Sequence, residues 1–109
     1  MRRIQVTELK EWIDKGKQLQ IIDIREPEEF ELAAIAGSVN IPKDKIPHDY
    51  GKVKPDVDSV IICRFGTKSA ATARFLISKG YDQDMLYLLD GGIYEWASDI
   101  DKSMPAHLL

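Results

Sequence analysis

Residues 60–81 read VIICRFGTKSAATARFLISKGY, and their pattern points to the architecture. The apolar, β-branched run Val60–Ile62 stops at Cys63. That is the signature of a short strand covered on both faces, as in a parallel sheet. A polar turn containing Gly66 follows. TKSAATARFLISKG then carries apolar residues at helical spacing up to Gly80, which stands where a helix C-terminal glycine belongs. Strand, turn and helix in that order open a βαβ unit, and DMLYLLD supplies the next strand.

Outward from this unit the alternation continues. Toward the N-terminus, LQIIDI reads as a second strand, and REPEEFELAAIAG reads as a helix. Pro27 lies near its first turn, acidic residues follow, and Gly37 lies past its end. SVNIP is a brief strand closed by Pro42. VTELKEWIDKGK is a short helix with Thr7 as its cap, Leu9, Trp12 and Ile13 on one face and Gly16 at its end. A weak fifth strand lies near Arg3–Val6. Residues 43–56, KDKIPHDYGKVKPD, hold prolines and a glycine among charges and read as loop with room for one helical turn. GGIYEWASDI opens a last helix, and DKSMPAHLL is a tail. The pattern predicts an α/β fold: a central parallel sheet of four to five strands with helices on both faces, forming one domain over residues 1–109.

Composition narrows the function classes. A chain of 109 residues suits one compact domain and needs neither disulfide nor metal to fold. A net charge of −3 offers no basic field for nucleic acid. No run of about 18 apolar residues exists, so no membrane span is expected. The N-terminal MRRIQVTELKEW turns charged too early for a signal-peptide core. A single cysteine makes no internal disulfide, which fits a reducing compartment, most simply the cytoplasm. One cysteine and two distant histidines, His48 and His107, make no metal-ligand set. DGGIYEW lacks the third glycine of a dinucleotide loop, and no cofactor is expected.

In an open parallel sheet the strand C-terminal ends share one edge, and ligands bind outside it. Three strands stop there in polar residues: Asp23 and Arg25, Cys63 and Arg64, and Asp90 with Gly91 and Gly92. Cys63 falls at the centre of that edge. Gly66 permits a positive φ, so the amides after Cys63 can turn inward as a nest. The following helix adds unpaired N–H groups and a partial positive charge of about 0.5. Arg64 and Lys68 add full charges. A cysteine so surrounded is expected as a thiolate that needs no general base. Such a cup suits a cysteine carrying extra negative charge, as a persulfide does. Taken alone, a cysteine ending an apolar strand reads as a core thiol; the glycine turn and flanking cations favour the site.

Other residues leave alternatives open. Asp23 either orients the loop by accepting N–H bonds or pairs with a nearby turn. Arg25 either gathers an anion or is an exposed partner of Glu26 or Glu29, and the exposed placement is favoured. Gly91 and Gly92 let the backbone turn tightly under the pocket. Trp12, Phe30, Phe75 and Trp96 read as core, and Lys43, Lys45, Lys52 and Lys54 as a solvated loop.

The stretches IIDIREPEEFELAAIAGSVNIP, IICRFGTKSAATARFLISKGY and LLDGGIYEW together resemble the ordered motifs of a rhodanese homology domain over nearly the whole chain. The resemblance implies a rhodanese-like α/β domain and a sulfurtransferase with Cys63 as nucleophile. It places Arg64, Phe65, Gly66, Thr67, Lys68 and Ser69 around the substrate, with Asp23 and Arg25 in support. It implies a small anionic sulfur donor such as thiosulfate, a thiol or cyanide acceptor, and no cofactor. GGIYEWASDIDKSMP is also similar to rhodanese domains fused to ubiquitin-like-protein activating enzymes. That implies a protein sulfur acceptor in molybdopterin or thiamine biosynthesis. The chain departs from the family pattern at Ala34 and Ala36, where many members have His and Pro. Lys68 stands where Arg is frequent, and Phe65 is bulkier than usual. Phosphatase relatives of the fold need Cys-x5-Arg; six places past Cys63 stands Ser69, and Lys68 comes one place early without the guanidinium fork.

Overall fold

The computed structural model describes residues 1–105. Five strands, β1 (Arg2–Ile4), β2 (Leu19–Asp23), β3 (Val39–Asn40), β4 (Asp58–Ile62) and β5 (Leu86–Leu89), form one parallel sheet in the order β1-β5-β4-β2-β3. The weak fifth strand is real: Arg2 pairs with Tyr87 and Ile4 with Leu89 at the sheet edge. Side chains alternate across each strand. The row Ile22–Ile61–Leu88 therefore faces one side and Ile21–Val60–Tyr87 the other.

Helices cover both rows. Leu9 of α1 (Val6–Asp14) and Ile93, Trp96 and Ala97 of α5 (Gly92–Asp99) pack with Ile21 and Val60. On the opposite face, Ala73 and Leu76 of α4 (Ser69–Ser78) and Ile46 of α3 (Ile46–Asp49) pack with Ile22 and Ile61. Ile61, Ile62 and Leu76 are fully enclosed, and each such burial stabilises by about 1.5–3 kcal/mol. Among the described residues, no helix is long and apolar enough to cross a membrane.

Three local expectations are corrected. The cap of α1 is Gln5, not Thr7. Starting the helix at Val6 puts Glu8 at the third position, where its carboxylate accepts the Gln5 amide at 3.0 Å in a capping box. The second helix, α2 (Pro27–Leu32), stops well short of Gly37. Arg25 Nη2 donates to the Ala33 carbonyl at 2.6 Å, and Ala33 is extended, so the chain leaves the helix and carries Ile35 into the core. Residues 43–52 hold the one helical turn expected there, α3, but the loop around it is more ordered than expected: a 3₁₀ turn (Lys43–Lys45), α3 and a second 3₁₀ turn (Tyr50–Lys52) follow without a break. Buried Ile46 and Val53 anchor this segment, and Tyr81 Oη donates to the Val53 carbonyl at 2.6 Å with the Tyr50 carbonyl 3.0 Å away. Pro47 sits in the first turn of α3, where its missing N–H costs nothing. His48 is on this helix, exposed beside Asp49, rather than in an irregular segment; His107 lies outside the described residues.

The topology itself selects a position for a site. From β2 the chain moves outward to β3, and from β4 it moves the other way to β5. Neighbouring strands whose connections diverge leave a crevice between their C-terminal ends. That crevice lies between β2 and β4.

Candidate functional site

A cavity of about 430 Å³ opens at this crevice. Ile24, Arg25 and Glu26 follow β2 on one side, and Cys63, Arg64, Phe65, Thr67 and Lys68 follow β4 on the other. Glu29, Lys43 and Asp44 complete the lining.

Cys63 is the first residue past β4 and is only 4% exposed. It packs among Ile22, Ile61 and Leu76, yet its sulfur does not have a purely apolar environment. Sγ accepts the backbone N–H groups of Gly66 at 3.1 Å and Lys68 at 3.4 Å, and the residue borders the cavity. Among the described residues, no acceptor meets the N–H groups of Arg64, Phe65 or Thr67.

The loop curls this way because both of its ends are constrained. Gly66 has φ +86°, and a Cβ there would lie 2.9 Å from Gly91 N and from Leu89 O, so only glycine fits. From below, the first turn of α5 binds the loop's carbonyls: Ile93 N–H donates to Cys63 O and Tyr94 N–H to Arg64 O, both at 3.0 Å. Gly92, at φ +60°, allows that approach; a Cβ would run into Cys63 O and come within 2.6 Å of Arg64 O. Carbonyls are thus drawn toward α5 while the amides of Gly66 and Lys68 remain for sulfur.

Around this cup, Arg64, Thr67 and Lys68 are exposed on the cavity wall. The Arg64 guanidinium lies 5.1 Å from the centre of the Phe65 ring. Phe65 is 50% exposed and tilts against Tyr94 at 5.4 Å. Gly66 contributes an amide but no wall. Ser69 is fully buried at the start of α4 and is not a lining residue; its Oγ has no hydrogen-bond partner among the described residues.

Asp23 and Arg25 form a buried ion pair. Asp23 Oδ1 accepts the Arg25 backbone N–H and Nε, both at 3.0 Å, and Oδ2 accepts Nη2 at 2.8 Å. Of the two roles open to Asp23, the structure shows the pairing with its own turn. The exposed placement favoured for Arg25 is wrong: it is 4% exposed. The carboxylate two residues earlier captures the guanidinium, while Nη1 donates to the Glu29 carbonyl at 3.3 Å and Nη2 to the Ala33 carbonyl at 2.6 Å. Asn40 adds a second tie, donating to the carbonyls of Asp23 and Arg25.

Sequence reasoning missed Glu26, Glu29, Lys43 and Asp44 as cavity residues. A usable signal existed for the last two. They follow β3, whose C-terminal end shares the edge with β2, and Lys43 N–H prolongs that ladder to Ile24 O at 2.9 Å.

A doubly covered parallel sheet with a cysteine beneath inward-facing amides at its C-terminal edge defines a class of thiol-centred α/β domains. The chain belongs to the rhodanese-like domain family, whose model matches residues 5–99. The probable adenylyltransferase/sulfurtransferase MoeZ of Mycobacterium tuberculosis is 34% identical over 99 residues, covering 89% of this chain and 25% of MoeZ. The chain thus spans about a quarter of the length of that relative. Thiosulfate sulfurtransferase GlpE of Shewanella oneidensis is 33% identical over 82 residues, covering 75% of this chain and 79% of GlpE. A rhodanese-related protein of Thermoplasma volcanium superposes with a TM-score of 0.80 at 30% identity, covering 92% of this chain and 94% of the other.

Proposed function

We propose that the protein is a sulfurtransferase that carries sulfane sulfur as a persulfide on Cys63. The observation that supports this most directly is the Cys63 Sγ held under the Gly66 and Lys68 amides at the border of a cavity. Family membership and the relatives named thiosulfate sulfurtransferase support the same chemistry. The Cys63 thiolate attacks the outer sulfur of a donor such as thiosulfate. A new S–S bond forms, the donor's S–S bond breaks, and sulfite leaves with its electron pair. The terminal sulfur of the product is negative, and the amides of Arg64, Phe65 and Thr67 are the donors left to hold it. A thiophilic acceptor then attacks that sulfur and restores the thiolate, as in other covalent transfer mechanisms. Arg64 and Lys68 gather the anion, and Asp23 with Arg25 fixes the opposite wall of the cavity.

Incubation with thiosulfate is expected to add the mass of one sulfur atom at Cys63 and to support thiocyanate formation from cyanide. Cys63→Ser is expected to abolish both. Loading that persists in the Ser variant sinks the proposal.

Similarity to MoeZ, named an adenylyltransferase/sulfurtransferase, favours a second reading, in which the persulfide is delivered to a protein partner; the resemblance of GGIYEWASDIDKSMP to domains fused to ubiquitin-like-protein activating enzymes supports a partner in molybdopterin or thiamine biosynthesis. The two readings part at the acceptor. Labelled sulfur on Cys63 moves to small thiols under the first, and only to the C-terminus of a carrier protein under the second.

A further inference from the structure

The cavity's charge pattern narrows the donor. Four cations line it, Arg25, Lys43, Arg64 and Lys68, and three carboxylates, Glu26, Glu29 and Asp44. Asp23 already neutralises Arg25 at 2.8 Å, so the remaining charges balance. Among the described residues, none of the other six lies in an ion pair with another side chain. Glu26 and Glu29 cap the start of α2 with their carboxylates, each accepting a backbone N–H. The charges are also sorted. Arg64 and Lys68 come from the loop that holds sulfur, whereas all three carboxylates come from the elements after β2 and β3, across the crevice, with Lys43 the one cation on that side besides the paired Arg25.

A cavity shaped for an inorganic dianion would not set three carboxylates around it, because each repels the ligand. Its volume points the same way: about 430 Å³ falls in the range that encloses an organic ligand rather than a few-atom ion. We infer that the favoured donor is the persulfide of a zwitterionic low-molecular-weight thiol, a cysteine-containing amino acid or short peptide bearing both carboxylate and ammonium. This rests on the persulfide reading of Cys63. The donor's carboxylate meets Arg64 and Lys68, and its ammonium meets Glu29 and Asp44. In the step, R–S–S⁻ and the Cys63 thiolate give Cys63–S–S⁻ and R–S⁻: one S–S bond forms, one breaks, and the electron pair leaves on the thiolate of R.

The test compares four donors at sub-saturating concentration: glutathione persulfide, the persulfides of 3-mercaptopropionate and of cysteamine, and thiosulfate. Mass spectrometry follows the rate of sulfur loading on Cys63, each rate being normalised to the same donor's reaction with a small free thiol. Glutathione persulfide is expected to exceed the three others at least tenfold. Asp44→Asn combined with Glu29→Gln is expected to shrink that preference at least threefold. Equal normalised rates, or a preference untouched by the two substitutions, overturn the inference while leaving Cys63 as a sulfur carrier. Absence of loading from every donor overturns both.

Discussion

Two buried charges, Asp23 and Arg25, show how much a single residue pair can hold. The pair is enclosed, and the arginine reaches both the strand end and the last carbonyls of α2. Removing one partner leaves a bare charge in the interior, which costs about 3–5 kcal/mol, whereas removing both leaves only lost packing and hydrogen bonds. Arg25→Ala is therefore expected to lower stability by about 3–5 kcal/mol, and Asp23→Asn with Arg25→Met to recover part of it. Urea unfolding measures both; a single substitution costing under about 1 kcal/mol would contradict the pairing. The sequence showed the two residues but not their burial. The acceptor that completes the arginine's shell, Ala33 O, becomes available only because α2 ends early. Cys63 was easier to read, since every group that donates to its sulfur lies within the next five residues.

At the scale of elements, the cup depends on a junction between two segments far apart in the chain. Gly92 lets α5 approach the carbonyls of Cys63 and Arg64. Gly92→Ala is expected to cost about 1–3 kcal/mol in backbone strain. It should also slow sulfur loading several-fold by displacing the loop. Gly80→Ala is the matched comparison: its φ is +97°, but nothing lies within 4 Å of an added Cβ. That variant is expected to lose stability and still load sulfur at the parent rate. Equal loading by the Gly92 variant, followed by mass spectrometry, would show that α5 does not shape the site. Strands and long helices were legible from local periodicity. The 43–52 segment was legible only in its one helical turn, because Pro47 and the charges read as breakers while Ile46 and the adjoining Val53 gain their hold only by tertiary burial.

For the whole molecule, the alternation of strands and helices announced a parallel sheet with two covers. The strand order was not legible, and with it the crevice between β2 and β4, because no local pattern says which strands become neighbours. Both tryptophans, Trp12 and Trp96, lie in the layer of α1 and α5, while Tyr50, Phe75 and Tyr81 border the opposite layer. The sheet belongs to both layers, so one cannot melt alone. Tryptophan fluorescence and far-ultraviolet circular dichroism are expected to give coincident denaturation curves. Separated midpoints would mean that the two layers come apart independently. The ties from Ile93 and Tyr94 to the backbone at residues 63 and 64 carry one last implication, for biosynthesis. A ribosome delivers the thiol well before the segment that braces its receptacle. A nascent chain stalled ahead of residue 93 already exposes the thiol but not the finished socket, so under the proposed sulfur-carrying role loading has to wait for α5.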